Sequence, residues 1–256
     1  MRRIVLALVV AASMAVSVGA ITYGTPDEGR HPNVGLLIVQ IGNQFFALCS
    51  GTLVAPSVFL TAGHCTDFIE QGGYSAWVSF SEGPPFLIIP GTPTTNPSFG
   101  LTFPDTADIG VVLFAFDIAG ILGITPARIA EEGVLDQVAT QRGQDDLYFT
   151  HVGYGEQGIR PRLLTDLRRY TGISSLVNLR SAWTDGFNLQ TTANPGLGRS
   201  GICFGDSGGP VFFEDTDVIA AIHSFVKNDN CKGTGFSYRI DTPTAQAFLA
   251  SFDVTP

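Results

Sequence analysis

Short apolar runs rich in β-branched and aromatic residues recur along most of the chain, separated by Gly, Pro and Asn. Runs of this length, bounded by turn residues, predict strands. In the first half they cover Val34 to Phe46, Leu53 to Leu60, Ser75 to Phe80, Phe86 to Ile89 and Ile109 to Phe116, which makes about six strands of a first barrel. Residues 117–135 read as a crossover in which Pro126 and Gly133 interrupt any long periodicity. A second set follows at Val138 to about Thr140, Tyr148 to Tyr154, Leu176 to Asn178, Val211 to Phe213, Val218 to Val226 and Gly235 to Ile240. Asp241-Thr242-Pro243 then predicts a helix start, a capping side chain followed by a proline whose missing N–H does no harm. Phe248, Leu249 and Phe252 continue it at helical spacing as a core stripe. The pattern predicts an all-β chain.

Composition narrows this picture. Thirty glycines and fifteen prolines favour turns over long helices, and 45% hydrophobic content is ample for a buried core in one large β unit or two small barrels. Residues 1–20 read as a secretory signal peptide: Arg2 and Arg3, an apolar region from Ile4 to about Val16, then Val18-Gly19-Ala20 at the cleavage site. The apolar region is too short to span a bilayer. Loss of Arg2 and Arg3 takes the net charge from −9 to −11, so the secreted chain is expected to repel nucleic acid and to make no membrane contact. The arginines at 160, 162, 168 and 169 form the one basic cluster and read as a solvated face. Four cysteines in a secreted chain suggest two disulfides, for which sequence alone allows three pairings. No Cys-x-x-Cys pair points to a metal.

The chemistry concentrates in Gly201-Ile202-Cys203-Phe204-Gly205-Asp206-Ser207-Gly208-Gly209-Pro210. A serine hydroxyl needs a base to take its proton and backbone N–H donors for the developing oxyanion. Gly205, Gly208 and Gly209 permit backbone conformations that let the N–H groups of Gly205 and Ser207 converge on one small anion. A base and its orienting acid are available upstream: His64 in Thr61-Ala62-Gly63-His64-Cys65, and Asp108 directly before the apolar run Ile109 to Phe114. Asp105 competes with Asp108 but follows Pro104 and reads as a loop residue. The segment Gly205 to Gly209 also fits the Gly-x-Ser-x-Gly elbow of α/β-hydrolases, whose triad runs Ser, acid, His. That reading fails on order, because the only histidine after Ser207 is His223, sixteen residues on.

With TAGHC at 61–65, DIGVVLF at 108–114 and GDSGGP at 205–210, in the order His64, Asp108, Ser207, the chain resembles the chymotrypsin/trypsin family of serine proteases. The resemblance runs from Ile21 to about Phe252. It implies two six-stranded antiparallel β-barrels, residues 21–125 and 126–256, with the active site in the cleft between them and a C-terminal α-helix. It implies disulfides Cys49–Cys65 and Cys203–Cys231, and acyl transfer without metal or cofactor. Ser207 would attack a peptide carbonyl, His64 act as base, Asp108 fix the His64 tautomer, and Gly205 and Ser207 N–H groups bind the oxyanion. Cleavage after Ala20 would free Ile21, whose α-ammonium is expected to pair with buried Asp206. The resemblance places Gly201 at the base of the primary pocket, Ile202 beside it, Val226 near its mouth and His223 on its wall. It has Ser224 bonding near the triad aspartate and Ser224-Phe225-Val226 pairing with substrate backbone. With glycine at 201, cleavage after Arg or Lys is disfavoured; a narrow apolar pocket and a glutamate preference through His223 both stay open. The expected partners are polypeptide substrates and proteinaceous inhibitors, met by a secreted monomer. A protease-like binding protein without activity and an esterase are the alternative classes. His31 and His151 have no motif around them.

Overall fold

The computed structural model describes residues 21–100, 102–138, 147–157 and 165–256. A two-residue strand, β1 (Thr25–Pro26), precedes β2 (Val34–Ile41), whose near-continuous apolar sequence VGLLIVQI has a geometric cause. Successive side chains on a strand point to opposite faces. Leu37 and Val39 enter the interior of the first barrel, while Val34, Leu36 and Ile38 join a core shared with the second. β2 is thus buried on both sides. Each such fully buried aliphatic side chain contributes about 1.5–3 kcal/mol.

The first barrel continues with β3 (Gln44–Ala55), β4 (Val58–Thr61), helix α1 (Gly63–Gly72), β5 (Ser75–Ser79), β6 (Ile89–Thr95) and β7 (Gly110–Leu113). Its strands close in the order β2-β3-β4-β7-β6-β5. The expected run Val34 to Phe46 is two strands turning at Gly42, which has φ 61° and so suits glycine. The run Leu53 to Leu60 likewise breaks at Pro56-Ser57 into the end of β3 and the start of β4. β6 lies later than the expected Phe86–Ile89 and carries Pro90 and Pro93. It tolerates them because it pairs with β5 only through residues 89–91 and with β7 only through 92–95, so no stretch of it is bonded on both edges.

The crossover holds α2 (Ile118–Leu122), β8 (Arg128–Ile129) and α3 (Val134–Val138). Val138 therefore ends a helix rather than starting a strand; Ala139 and Thr140 of that expected strand lie outside the described residues, as do the expected leader 1–20, Arg160 and Arg162. The second barrel uses β9 (Tyr148–Gly153), β10 (Tyr170–Asn178), β11 (Asn188–Ala193), β12 (Pro210–Phe213), β13 (Val218–Val226) and β14 (Gly233–Arg239). They run β10-β11-β14-β13-β12-β9, and β9 pairs back to β10, while β1 and β8 add short outer pairings. Two closed six-stranded antiparallel barrels result. Helix α4 (Pro243–Ala250) follows, capped by the Thr242 hydroxyl, which accepts from Ala245 N–H at 3.3 Å. Phe248 and Leu249 bury its inner face in the shared core.

One basic residue contradicts the expected solvated cluster. Arg169 is 2% exposed; its Nε donates to Asp27 at 2.8 Å and its Nη1 to Val34 O at 3.0 Å. It ties the N-terminal segment and the second barrel to β2. Burial works against ionised Asp27, but hydrogen bonds from His31 and the Arg169 charge outweigh it and bring its pKa down to about 2.

Candidate active site

His64 is the second residue of α1, a helix that the strand pattern left unmarked. Ala62 at its start gives no side-chain cap; the helix is held by Cys65, bridged to Cys49 on β3, and by buried Ile69. Asp108 stands two residues before β7. Its carboxylate accepts the His64 backbone N–H at 2.8 Å and approaches His64 Nδ1 at 2.9 Å. A carboxylate only accepts, so Nδ1 carries the hydrogen and the neutral ring has its lone pair on Nε2. The Ser224 hydroxyl from β13 completes the set by donating to the same carboxylate. Asp105 is elsewhere: it accepts from Ala107 N–H and from the Tyr238 hydroxyl at 3.2 Å.

Burial opposes charge on both members of the pair. Asp108 nevertheless stays below the usual carboxylate range, because the facing His64 charge and the hydrogen bonds from His64 and Ser224 exceed the desolvation. Burial likewise lowers His64, yet the Asp108 charge and hydrogen bond win and hold its pKa above the ordinary imidazole value.

Ser207 arrives from the other barrel, on the loop before β12. His64 and Ser207 line one cavity of about 230 Å³. No hydrogen bond joins Nε2 to the Ser207 hydroxyl among the described residues, a separation common before substrate binds. The Gly205 and Ser207 N–H groups have no protein acceptor among the described residues. Cys203–Cys231 braces this loop, and Cys49–Cys65 braces α1, each contributing about 3 kcal/mol through the unfolded chain.

The loop's shape is set by Asp206, which is fully buried. One carboxylate oxygen accepts Gly155 N–H at 2.9 Å and the other Cys203 N–H at 2.9 Å. Burial pushes its pKa up to about 7 against these two bonds and a further backbone bond from Ile21. Ile21 is itself 0% exposed and packs with Tyr170 and Ile202. The structure thus brings Ile21 to Asp206.

The pocket differs from its expected form at two positions. Ile202, Val226, Phe204 and Phe225 line the cavity, whereas Gly201 does not. Gly201 lies behind it, bridged to Thr22, and a Cβ there would come within 2.2 Å of Ala193 Cβ. His223 lines the cavity but turns both ring nitrogens away from it. Nδ1 lies 3.1 Å from Asp206 O, which forces the hydrogen onto Nδ1; Nε2 lies 2.8 Å from His151 Nδ1, and His151 Nε2 bonds the Ser174 hydroxyl. Every member is satisfied with both rings neutral. Burial brings the His223 pKa down to about 3, and burial with the neighbouring His223 holds His151 well below its ordinary value. His151 therefore has a structural role that its sequence surroundings hid. His31 pairs with Asp27 and stacks on Phe212, remote from this cavity.

Compared with known proteins, residues 148–248 match the family model described as Trypsin. That stretch contains Ser207 and the second barrel, whereas His64 and Asp108 lie before it. HL collagenase is similar in structure with a TM-score of 0.66 at 18% identity, over 93% of this chain and 98% of that one. A second solved structure, described as GrC, gives a TM-score of 0.63 at 15% identity, over 90% of this chain and 95% of that one. No curated protein matches the chain significantly.

Proposed function

We propose that this chain is a serine endopeptidase of the chymotrypsin/trypsin kind that works through Ser207, His64 and Asp108 as a secreted enzyme cleaving after small or medium apolar residues, a reading supported by the Trypsin match over the second barrel and by the shared fold. One observation carries the reading of the catalytic set: the bonded His64–Asp108 pair, fixed in the tautomer that leaves Nε2 free to accept a proton, faces the same cavity as Ser207. In the reaction Ser207 adds to the peptide carbonyl as its proton passes to His64 Nε2. The oxyanion is held by Gly205 and Ser207 N–H, and His64 returns the proton to the leaving amine. Ser224-Phe225-Val226 aligns the substrate backbone. Secretion rests on residues 1–20 and the two disulfides; among the described residues no helix is long and apolar enough to cross a membrane.

The apolar preference follows from what lines the cavity. A cationic side chain would be desolvated there with no countercharge, since no carboxylate lines the pocket. A glutamate would find no free N–H on His223, which is neutral and bonded at both nitrogens. On matched peptides, kcat/KM is expected to rank Ala and Val ahead of Phe, with Glu and Arg at least about 100-fold below the best. A leading rank for Glu, abolished by His223→Ala, would restore the glutamate reading and require the His223–His151 bond to break on binding.

The second test concerns the N-terminus. With Ile21 in peptide linkage, ionising Asp206 in its buried site costs on the order of 4 kcal/mol. An acid whose pKa is raised on folding makes the folded state bind more protons than the unfolded chain. Its contribution to stability is greatest below about pH 4 and is lost as pH rises through about 7. An α-ammonium at Ile21 supplies the missing countercharge. Protein with one extra N-terminal residue is expected to lose most activity and to melt progressively lower between about pH 4 and 8. Protein beginning at Ile21 is expected to show neither effect. Equal activity and parallel melting curves would exclude the pairing.

A further inference from the structure

Ser50, at the middle of β3, reaches across the cleft into the loop of the nucleophile. Its backbone N–H donates to Ser207 O at 2.8 Å. Its hydroxyl lies 2.9 Å from Gly205 O and 3.0 Å from Tyr154 N. A hydroxyl has one hydrogen, a carbonyl only accepts and an amide N–H only donates, so the bond directions are determined: Tyr154 N–H gives to Ser50 Oγ, and Ser50 gives to Gly205 O. The residue is 0% exposed, and its own carbonyl is taken by the Thr61 hydroxyl at 2.8 Å. Ser50 itself does not line the cavity that His64 and Ser207 share.

Gly205 is the residue that needs such a support. Its φ is 90°, and a Cβ there would lie 2.9 Å from Gly155 Cα, so no side chain can restrain it. Where its N–H points depends on the two peptide planes meeting at its Cα. The plane before it is held by Phe204 O accepting Glu156 N–H at 2.7 Å. The plane after it is held at both ends, by Ser50 at the Gly205 carbonyl and by Asp206 N–H donating to Cys203 O at 3.1 Å. With both planes fixed, the torsions of Gly205 and the direction of its N–H are fixed, and that N–H has no acceptor of its own among the described residues.

We propose that Ser50 is a positioning residue for the oxyanion site: its hydroxyl, oriented by Tyr154 N–H, locks the Gly205–Asp206 peptide and so aims Gly205 N–H at the charge that develops on the carbonyl oxygen. The proposal rests on the protease reading above. An interaction that aims a donor at the transition state changes kcat and leaves substrate affinity alone.

The test compares wild type, Ser50→Ala and Ser50→Cys, the last close in size but a poor donor, each checked for folding by near-ultraviolet circular dichroism. Removing an oxyanion donor outright costs about 10²–10³ in kcat, so misaiming one is expected to cost about 10- to 100-fold, with KM within about twofold of wild type. Affinity for a peptide boronic acid, whose tetrahedral adduct occupies the oxyanion site, is expected to fall by the same factor. Affinity for the cleaved peptide acid is expected to be unchanged. A support that serves stability alone would lower the melting temperature and leave kcat and boronate affinity at wild-type values well below it. Wild-type kcat in either folded variant overturns the proposal while an active wild type keeps the protease reading intact; an inert wild type removes both.

Discussion

Ser207→Ala is expected to lower kcat by on the order of 10⁶ and to leave the melting temperature within about a degree of wild type. The two halves of that expectation have separate causes. The hydroxyl bonds to no described residue, so its removal orphans no buried partner and opens no apolar cavity. Of the two serine hydroxyls lining the cavity, that of Ser224 is committed to Asp108, so without Ser207 no acyl-enzyme is expected to form. The same variant is expected to resist labelling by a peptidyl phosphonate, which adds covalently to an activated serine. Cleavage retained by a homogeneous preparation of the variant would end the serine-nucleophile reading.

Asp108→Asn is the second large effect, on the order of 10⁴ in kcat. The carboxylate accepts three hydrogens, from His64 N, His64 Nδ1 and the Ser224 hydroxyl. A carboxamide has one oxygen and one NH₂, so it cannot accept them all. In place of Oδ1 its NH₂ would face the His64 backbone N–H; in place of Oδ2 it would face both the Ser224 hydroxyl and Nδ1. In the second case the imidazole must carry its hydrogen on Nε2, where it donates toward Ser207 instead of accepting the proton. The variant also changes the pH profile, with a definite sign. His64 must be neutral to act as base, so activity rises with pH through its pKa. Wild-type His64 is lowered by burial but raised further by Asp108, which puts the acid limb of kcat/KM above the ordinary imidazole value. Without the carboxylate only burial remains, and the residual activity is expected to show its acid limb at lower pH. An unmoved limb would mean that His64 is not the titrating base.

What could be read from the sequence, and what could not, follows from how local each cause is. The nucleophile loop and the histidine motif are contiguous, and their glycines and cysteines mark them without reference to the rest of the fold. The strands that face two cores, such as β2 and the first half of β13, announce themselves by near-continuous apolar residues. β11 does not: Asn-Leu-Gln-Thr-Thr-Ala is a strand because β14 and β10 flank it, a context that outweighs its propensity. Helix α1 has no side-chain cap at its start and a weak apolar stripe; the disulfide, the Ile69 anchor and the left-handed Gly73 that closes its last turn hold it. The remaining omissions are long-range. His151 acquires its function from His223, 72 positions away, and Ser50 from Gly205, 155 positions away. No window along the chain contains such pairs. The pocket followed the same logic: glycine at 201 was legible, but that Ile202 would form the lining and that His223 would turn inward depended on Ala193, Thr22 and His151.

The division of the site between two closed barrels also sets what kind of disturbance can silence it. Each barrel keeps its hydrogen-bond ladder to itself, and His64 and Asp108 ride on one while Ser207 rides on the other. Across the seam run a shared apolar core and a few polar bridges, among them Ser50 to Gly205 and Ser224 to Asp108. A small slip of one barrel against the other breaks no ladder and melts no strand, yet it separates His64 from Ser207. Register between the halves is therefore expected to fail before the halves themselves, with activity lost below the temperature at which the strands melt.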